Sequence, residues 1–226
     1  MMKTNHFTSF VRELYQEPKE FIPLHVPVFR GREKEYVLDT IDSTFVSSVG
    51  KYVDDVESFC ANYTKTNKGI AVVNGTAAIQ VSLRLAGVEF GDEVITQALT
   101  FVATANAIAY NNAHPVFVDV DLDTMGMSPD ALRSFLEEYG EKREDVVYNT
   151  KTRKRIAAIL PMHTFGFMCR ISEIKDICTE WGIPLVEDAA EALGSKSEDQ
   201  SAGSFGLLGA FSFNGNKIIT AGGGGI

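Results

Sequence analysis

DEVITQALTFVATANAIAYNNAHPVFVDVD, residues 92–121, decides the fold class. DEVITQ (92–97) reads as a short strand, FVATANAIAYNN (101–112) as a helix, and PVFVDVD (115–121) as a second strand. A helical crossover between two strands is the unit of a parallel sheet. The same rhythm runs outward in both directions. Upstream, GIAVV (69–73) is expected to be a strand ended by Asn74-Gly75, and TAAIQVSLRLAG (76–87) a helix closed by glycine. Downstream, SPDALRSFLEEYG offers Ser128 as N-cap and Pro129 as first helical residue. RIAAILPM (155–162), ISEIKDICTEWG (171–182), IPLVEDAA (183–190) and LGAFSF (208–213) continue the alternation. The implied fold is α/β, a mostly parallel sheet with helices on both faces.

The flanks read differently. Pro18, Pro23 and Pro27 punctuate the first thirty residues, which are expected to form an irregular N-terminal arm (1–30) ahead of one large domain (31–226). Tyr36, Val37, Ile41 and Phe45, then Val53, Val56, Phe59, Cys60 and Tyr63, recur at helical spacing. The charged segment EKREDVVYNTKTRKR (141–155) reads as a surface loop or hairpin.

At 226 residues, 45% of them hydrophobic, the chain can bury a substantial core. Its net charge of −9 is spread over short patches, which argues against nucleic acid and against a polybasic membrane surface. It carries no run of 18 apolar residues and no signal-peptide pattern. Cys60, Cys169 and Cys178 lie too far apart for a metal-ligand spacing, so no metal is expected and a reducing, cytoplasmic setting is.

In parallel sheets ligands gather where strand C-termini meet the following loops, and three such ends carry polar groups. Asn74-Gly75-Thr76-Ala77 opens a helix, either as a plain turn and N-cap or as an anion cradle of free N–H groups. Glu187-Asp188 ends IPLV, and a carboxylate there either caps backbone or faces a cationic ligand group. Lys217 follows GAFSF, with Ser212 and Asn214 flanking the turn, as a loop lysine or an amine nucleophile. Pyridoxal 5′-phosphate needs all three at once: an amine for its aldehyde, an acid for its ring nitrogen, and an anion site for its phosphate. Phe101 supplies a flat partner for its ring.

VNGTAAI, GDEVITQALTFVATANAI, PVFVDVD, PMHTFG, VEDAAEALGS and FSFNGNK occur in an order that resembles the DegT/DnrJ/EryC1/StrS sugar-nucleotide aminotransferases, fold-type I enzymes dependent on pyridoxal 5′-phosphate. The wording of residues 22–54 and of SFNGNKIIT is most similar to the branch that makes 4-amino sugars on UDP-linked N-acetylated 6-deoxyhexoses for surface glycans. The resemblance implies that Lys217 bonds the cofactor and shuttles the proton, and that Asp188 pairs with the ring nitrogen. It also implies stacking by Phe101, phosphate contacts from Gly75, Thr76, Ala77 and Ser212, and secondary contacts from Asn214 and Asn216. Glu191 stands where relatives often carry Gln or His near the ring hydroxyl; His163 is implied either to orient substrate or to serve the strand end. The partners implied are a nucleotide-linked 4-keto sugar, an amino donor such as glutamate, and a second copy of the chain.

Related dehydratases carry His in place of the lysine, so Lys217 favours the aminotransferases. The family continues past the glycine-rich turn into a smaller C-terminal domain, and a partial sequence with little or no activity of its own is expected here. A non-catalytic binding protein on the same fold is the alternative. GGGG (222–225) lacks the spacing of a nucleotide-binding glycine motif.

Overall fold

Successive residues of a strand point to opposite faces of its sheet, and in the computed structural model both faces are covered. The structure describes residues 2–23 and 25–226; Met1 and Leu24 of the expected arm lie outside them. The chain begins with α1 (Met2–Leu14), α2 (Glu33–Asp42) and α3 (Lys51–Thr64). The alternating part follows: α4 (Gly75–Leu85), β1 (Glu93–Gln97), α5 (Val102–Tyr110), β2 (His114–Val118) and α6 (Pro129–Tyr139). A hairpin, β3 (Gly140–Arg143) and β4 (Val146–Asn149), leads to β5 (Ile156–Leu160), α7 (Ile171–Trp181) and β6 (Val186–Asp188). A small hairpin, β7 (Lys196–Ser197) and β8 (Gln200–Ser201), precedes β9 (Leu208–Ala210).

Strands β2, β1 and β5 pair in parallel in that order, and β6 pairs in parallel with β9. Parallel bridges from Ile159 to Leu185 and from Met162 to Asp188 join the two groups. The spatial order β2-β1-β5-β6-β9 places the C-terminal ends of all five strands on one edge. On one face Val94, Ala158, Leu160, Val186 and Ala210 pack with Ile79 and Leu83 of α4 and Ile108 of α5. On the other, Ile95 and Ile159 pack with Leu132 and Leu136 of α6 and Ile171, Ile174 and Ile177 of α7. The caps expected for α6 are present: Ser128 Oγ accepts from the Ala131 N–H at 3.3 Å, and Pro129 occupies the first turn.

Three expectations need correction. The arm is not irregular throughout, because residues 2–14 form α1; Phe7, Phe10, Val11 and Leu14 recur at helical spacing and every proline lies beyond them. Residues 69–73 do not form a strand. Only Val72 and Asn74 make isolated bridges, to Gly225 and Gly224, so this segment is a fringe of the sheet. The strand expected at 115–121 stops at Val118, where the Asp119 carboxylate turns back to accept the Val120 N–H at 2.8 Å.

All three cysteines are free and buried. No helix of the described residues is long and apolar enough to cross a membrane. Helices α1 and α2 expose Phe7, Phe10, Leu14, Val37 and Ile41, and α2 buries no residue at all. The stability therefore resides in the layered core. Ile159→Ala, at the sheet centre, is expected to lower it by about 2–5 kcal/mol, measured by urea unfolding.

Candidate active site

Helix α4 starts abruptly at the sheet edge, and Asn74 shapes its start. The Asn74 side chain accepts the Ala77 N–H at 2.8 Å, and the Asn74 carbonyl accepts that of Ala78 at 3.0 Å. Among the described residues the N–H groups of Gly75 and Thr76 have no partner. Ser212 closes the other side so tightly that a Cβ on Gly75 would stand 2.7 Å from the Ser212 Cβ. Two free N–H groups, a hydroxyl and the positive end of a helix make an anion cradle. Of the residues proposed for it, Ala77 has its N–H already engaged by Asn74.

At the end of β6 the two acids part company. Glu187 is fully buried. Its carboxylate accepts the N–H groups of Gly203 (2.8 Å), Phe205 (2.6 Å) and Gly206 (2.8 Å) and lies 3.1 Å from His163 Nε2. His163 is fully buried too, with the Cys169 N–H directed at its Nδ1 at 3.4 Å. Of the two roles open to His163, the geometry is that of the interior. Cys169 sits against it, and burial pushes its thiol well above the usual range; the Cys178 thiol is pushed up to about 12.

Asp188 faces the other way. It is 2% exposed, and among the described residues two donors reach it: the Thr104 hydroxyl at 2.6 Å and the Ala190 N–H at 3.2 Å. Burial pushes its carboxyl above the usual carboxylate range, opposed by those two hydrogen bonds and by the fields of His163 and Lys217. Thr104 is a residue that the sequence did not single out. It sits in an apolar helix, and only its three-residue offset from Phe101 hints that it shares the site.

Lys217 closes the circuit. Its Nζ lies 3.0 Å from Glu191 Oε1 and 5.9 Å from the centre of the Phe101 ring, and its side chain is 12% exposed. Phe101 is the N-cap of α5, itself well exposed. Asn214 and Asn216 bond to each other at 3.0 Å on the exposed turn, and the Asn214 N–H reaches Ser212 Oγ at 3.4 Å. The structure thus brings Lys217, Glu191, Asp188, Phe101, Ser212 and the start of α4 to one edge. An amine beside an aromatic face, a cation-seeking acid and an anion cradle fit pyridoxal 5′-phosphate group by group.

Residues 27–226 match the model of the DegT/DnrJ/EryC1/StrS aminotransferase family. The chain belongs to this family. EpsN of Bacillus subtilis (strain 168) is 41% identical over 205 residues, 91% of this chain and 50% of its own length. The GDP-perosamine synthase of Vibrio cholerae is 37% identical over 205 residues, 91% of this chain and 52% of its own. Among solved structures, DesI in the presence of its TDP-sugar product superposes with a TM-score of 0.75 at 30% identity, over 94% of this chain and 51% of that one. The chain spans about half the length of the curated relatives it matches. The family is that of sugar aminotransferases dependent on pyridoxal 5′-phosphate, and the fold is theirs.

Two substitutions separate the acids. Glu187→Ala would orphan the N–H groups of Gly203, Phe205 and Gly206 together with His163, and is expected to cost roughly 3–5 kcal/mol in denaturant unfolding. Asp188→Asn is expected to act in the opposite sense. A carboxyl whose folded pKa is raised contributes stability at low pH and loses it as pH rises from the unfolded value through the folded one. The melting temperature of the cofactor-free Asn variant should therefore exceed that of the parent by a margin that grows from pH 4 to pH 7; a constant margin would contradict the assignment.

Proposed function

We propose that the chain carries the cofactor-binding half of an aminotransferase that moves an amino group, from glutamate, to the 4-keto carbon of a nucleotide-linked deoxysugar for surface-glycan synthesis. The observation that carries this reading is that Lys217 lies beside Phe101, the helix after Phe101 reaches Asp188 through Thr104, and Ser212 closes the α4 cradle on the same sheet edge. Membership of the family supports it, as do relatives named for perosamine synthesis and for a spore coat polysaccharide.

Bound pyridoxal 5′-phosphate supplies an aldehyde for amine exchange and a ring that accepts electrons from the carbon being deprotonated. The chain's own residues do the rest. The free N–H groups of Gly75 and Thr76, with Ser212, hold the phosphate at the positive end of α4. Phe101 would pack against the ring, and Asp188, short of donors, would hold a protonated ring nitrogen. Lys217 gives and takes the proton at the reacting carbon, from a position fixed by Glu191 Oε1. Glu191 would lie near the ring hydroxyl, on the side where it holds Lys217. The sugar and its nucleotide belong to the rest of the cleft; UDP- and GDP-linked 4-keto-6-deoxyhexoses are the two substrates to compare. The free buried cysteines favour a cytoplasmic setting, and the apolar faces of α1 and α2 favour a homodimer.

Purified chain mixed with pyridoxal 5′-phosphate should develop an absorbance band distinct from that of the free cofactor. Borohydride should then fix the cofactor on Lys217, read by peptide mapping. Lys217→Ala should abolish both signals and any amino transfer from glutamate. Fixation on another lysine would end the assignment.

A further inference from the structure

Behind Asp188 stand three side chains that the proposed reaction does not use. Thr104 Oγ1 lies 2.6 Å from Asp188 Oδ2, Thr100 Oγ1 lies 2.6 Å from Thr104 Oγ1, and Met162 Sδ lies 3.1 Å from Thr100 Oγ1. Thr104 is sealed from solvent, and Met162 is fixed by its bridge to Asp188. Each hydroxyl owns one proton, so two continuous arrangements of the row are available, one for each state of Asp188 Oδ2. With Asp188 ionised, Thr104 donates to Oδ2, Thr100 donates to Thr104, and the sulfur receives nothing. With a proton on Oδ2, every bond reverses: the carboxyl donates to Thr104, Thr104 to Thr100, and Thr100 to the Met162 sulfur. The thioether is the end that makes reversal possible, because it is apolar enough to be buried and still accepts weakly.

We propose that Thr104, Thr100 and Met162 form a reversible hydrogen-bond chain through which the buried Asp188 keeps a partner in both protonation states, with Thr104 as its positioning residue. The inference rests on the proposed function in one respect: a cationic ring nitrogen is what calls for the ionised state. On ionisation the O–H bond at Oδ2 breaks, its electron pair stays on the carboxylate, and the proton goes to the incoming nitrogen or to water. The two hydroxyls only rotate.

The charges that surround Asp188 are few. His163 lies just past the end of β5, and Lys217 in the turn after β9. Strand β9 itself has no titratable residue, α5 has only Tyr110 at its last position, and α4 has only Arg84, bonded to the Val88 carbonyl at 3.2 Å. Glu187 points to the opposite face, and Glu191 is paired with Lys217. Burial pushes the Asp188 carboxyl upward and the Thr104 hydrogen bond pulls it down, the balance that such a chain would tune.

The test compares the parent chain with Thr104→Val, Thr104→Ser and Met162→Leu. One readout is the acid midpoint of pyridoxal 5′-phosphate binding, followed by absorbance. The other is the pH profile of cofactor-free thermal unfolding, each variant measured against its own Asp188→Asn derivative. Thr104→Val removes the charge-assisted bond to the anion, so the midpoint should rise by about one pH unit. Thr104→Ser should restore it. Met162→Leu removes the acceptor of the protonated arrangement alone, and the midpoint should fall by a few tenths of a unit. Shifts of the same sign, or none, would overturn the proposal. If the parent chain takes up no pyridoxal 5′-phosphate, the proposed function fails while the unfolding profiles still decide whether the chain exists.

Discussion

Two carboxylates on consecutive residues of one strand, both removed from water, are the constraint on which the site depends. Strand alternation sends Glu187 and Asp188 to opposite faces. Burying an anion is costly unless donors replace its water. Glu187 receives three backbone N–H groups and one imidazole nitrogen, whereas Asp188 receives one hydroxyl and one distant N–H. The first acid is fully compensated and can serve as structure. The second is under-compensated, and a cation at its free side would complete it. Chemistry of the surroundings, not of the side chain, divides the work between them.

The compensated acid also builds the other side of the site. By gripping Gly203, Phe205 and Gly206, Glu187 ties the loop before β9 to the end of β6. That loop is pressed close: a Cβ on Gly203 would meet the Phe211 ring at 2.6 Å. Strand β9 then runs parallel beside β6 and delivers Ser212 and Lys217 to the same edge. A rigid interior anchor thus positions the amine and the phosphate-side hydroxyl together, which a surface loop could not do to the required tolerance.

Much of this was legible in the sequence, for physical reasons that differ from residue to residue. The core strands and helices announce themselves by pattern: β5 is an unbroken apolar run because it is covered on both faces, and the helices carry one apolar stripe. Lys217, Asp188 and the Asn74-Gly75 turn stand out because polar groups at buried strand ends need a reason. Thr104 stayed hidden, since a threonine on an apolar helix gives no sign of which side it faces until the fold brings Asp188 to it. Residues 69–73 misled because an apolar run does not report its hydrogen-bonding partners. Those partners are Gly224 and Gly225, some 150 residues away. The helix at 2–14 was masked by the prolines that follow it. Glu187 left both of its readings open, and only the positions of the 203–206 N–H groups distinguish a strap from a ligand contact.

The glycine run answers to the same geometry. The segment 223–226 passes between Phe211–Phe213 and Val72–Asn74, bonding to both: Gly225 exchanges hydrogen bonds with Val72, and Ile226 with Phe211. Gly222 and Gly224 hold φ values of +80° and +103°, a region that side chains rarely adopt. Gly225 lies so close to the Asn74–Gly75 peptide that a Cβ would stand 2.5 Å from the Asn74 carbonyl carbon. Any larger residue there would push the strand off the start of α4 or displace the cradle itself. Ile226 then enters the core with Cys60, Phe211 and Phe213. The glycines therefore let an extended segment cross a helix N-terminus at contact distance, and that crossing couples the turn bearing Lys217 to the two free N–H groups of the cradle. Backbone hydrogen bonds at those glycines thus add to the Glu187 anchor in setting the spacing between amine and anion site.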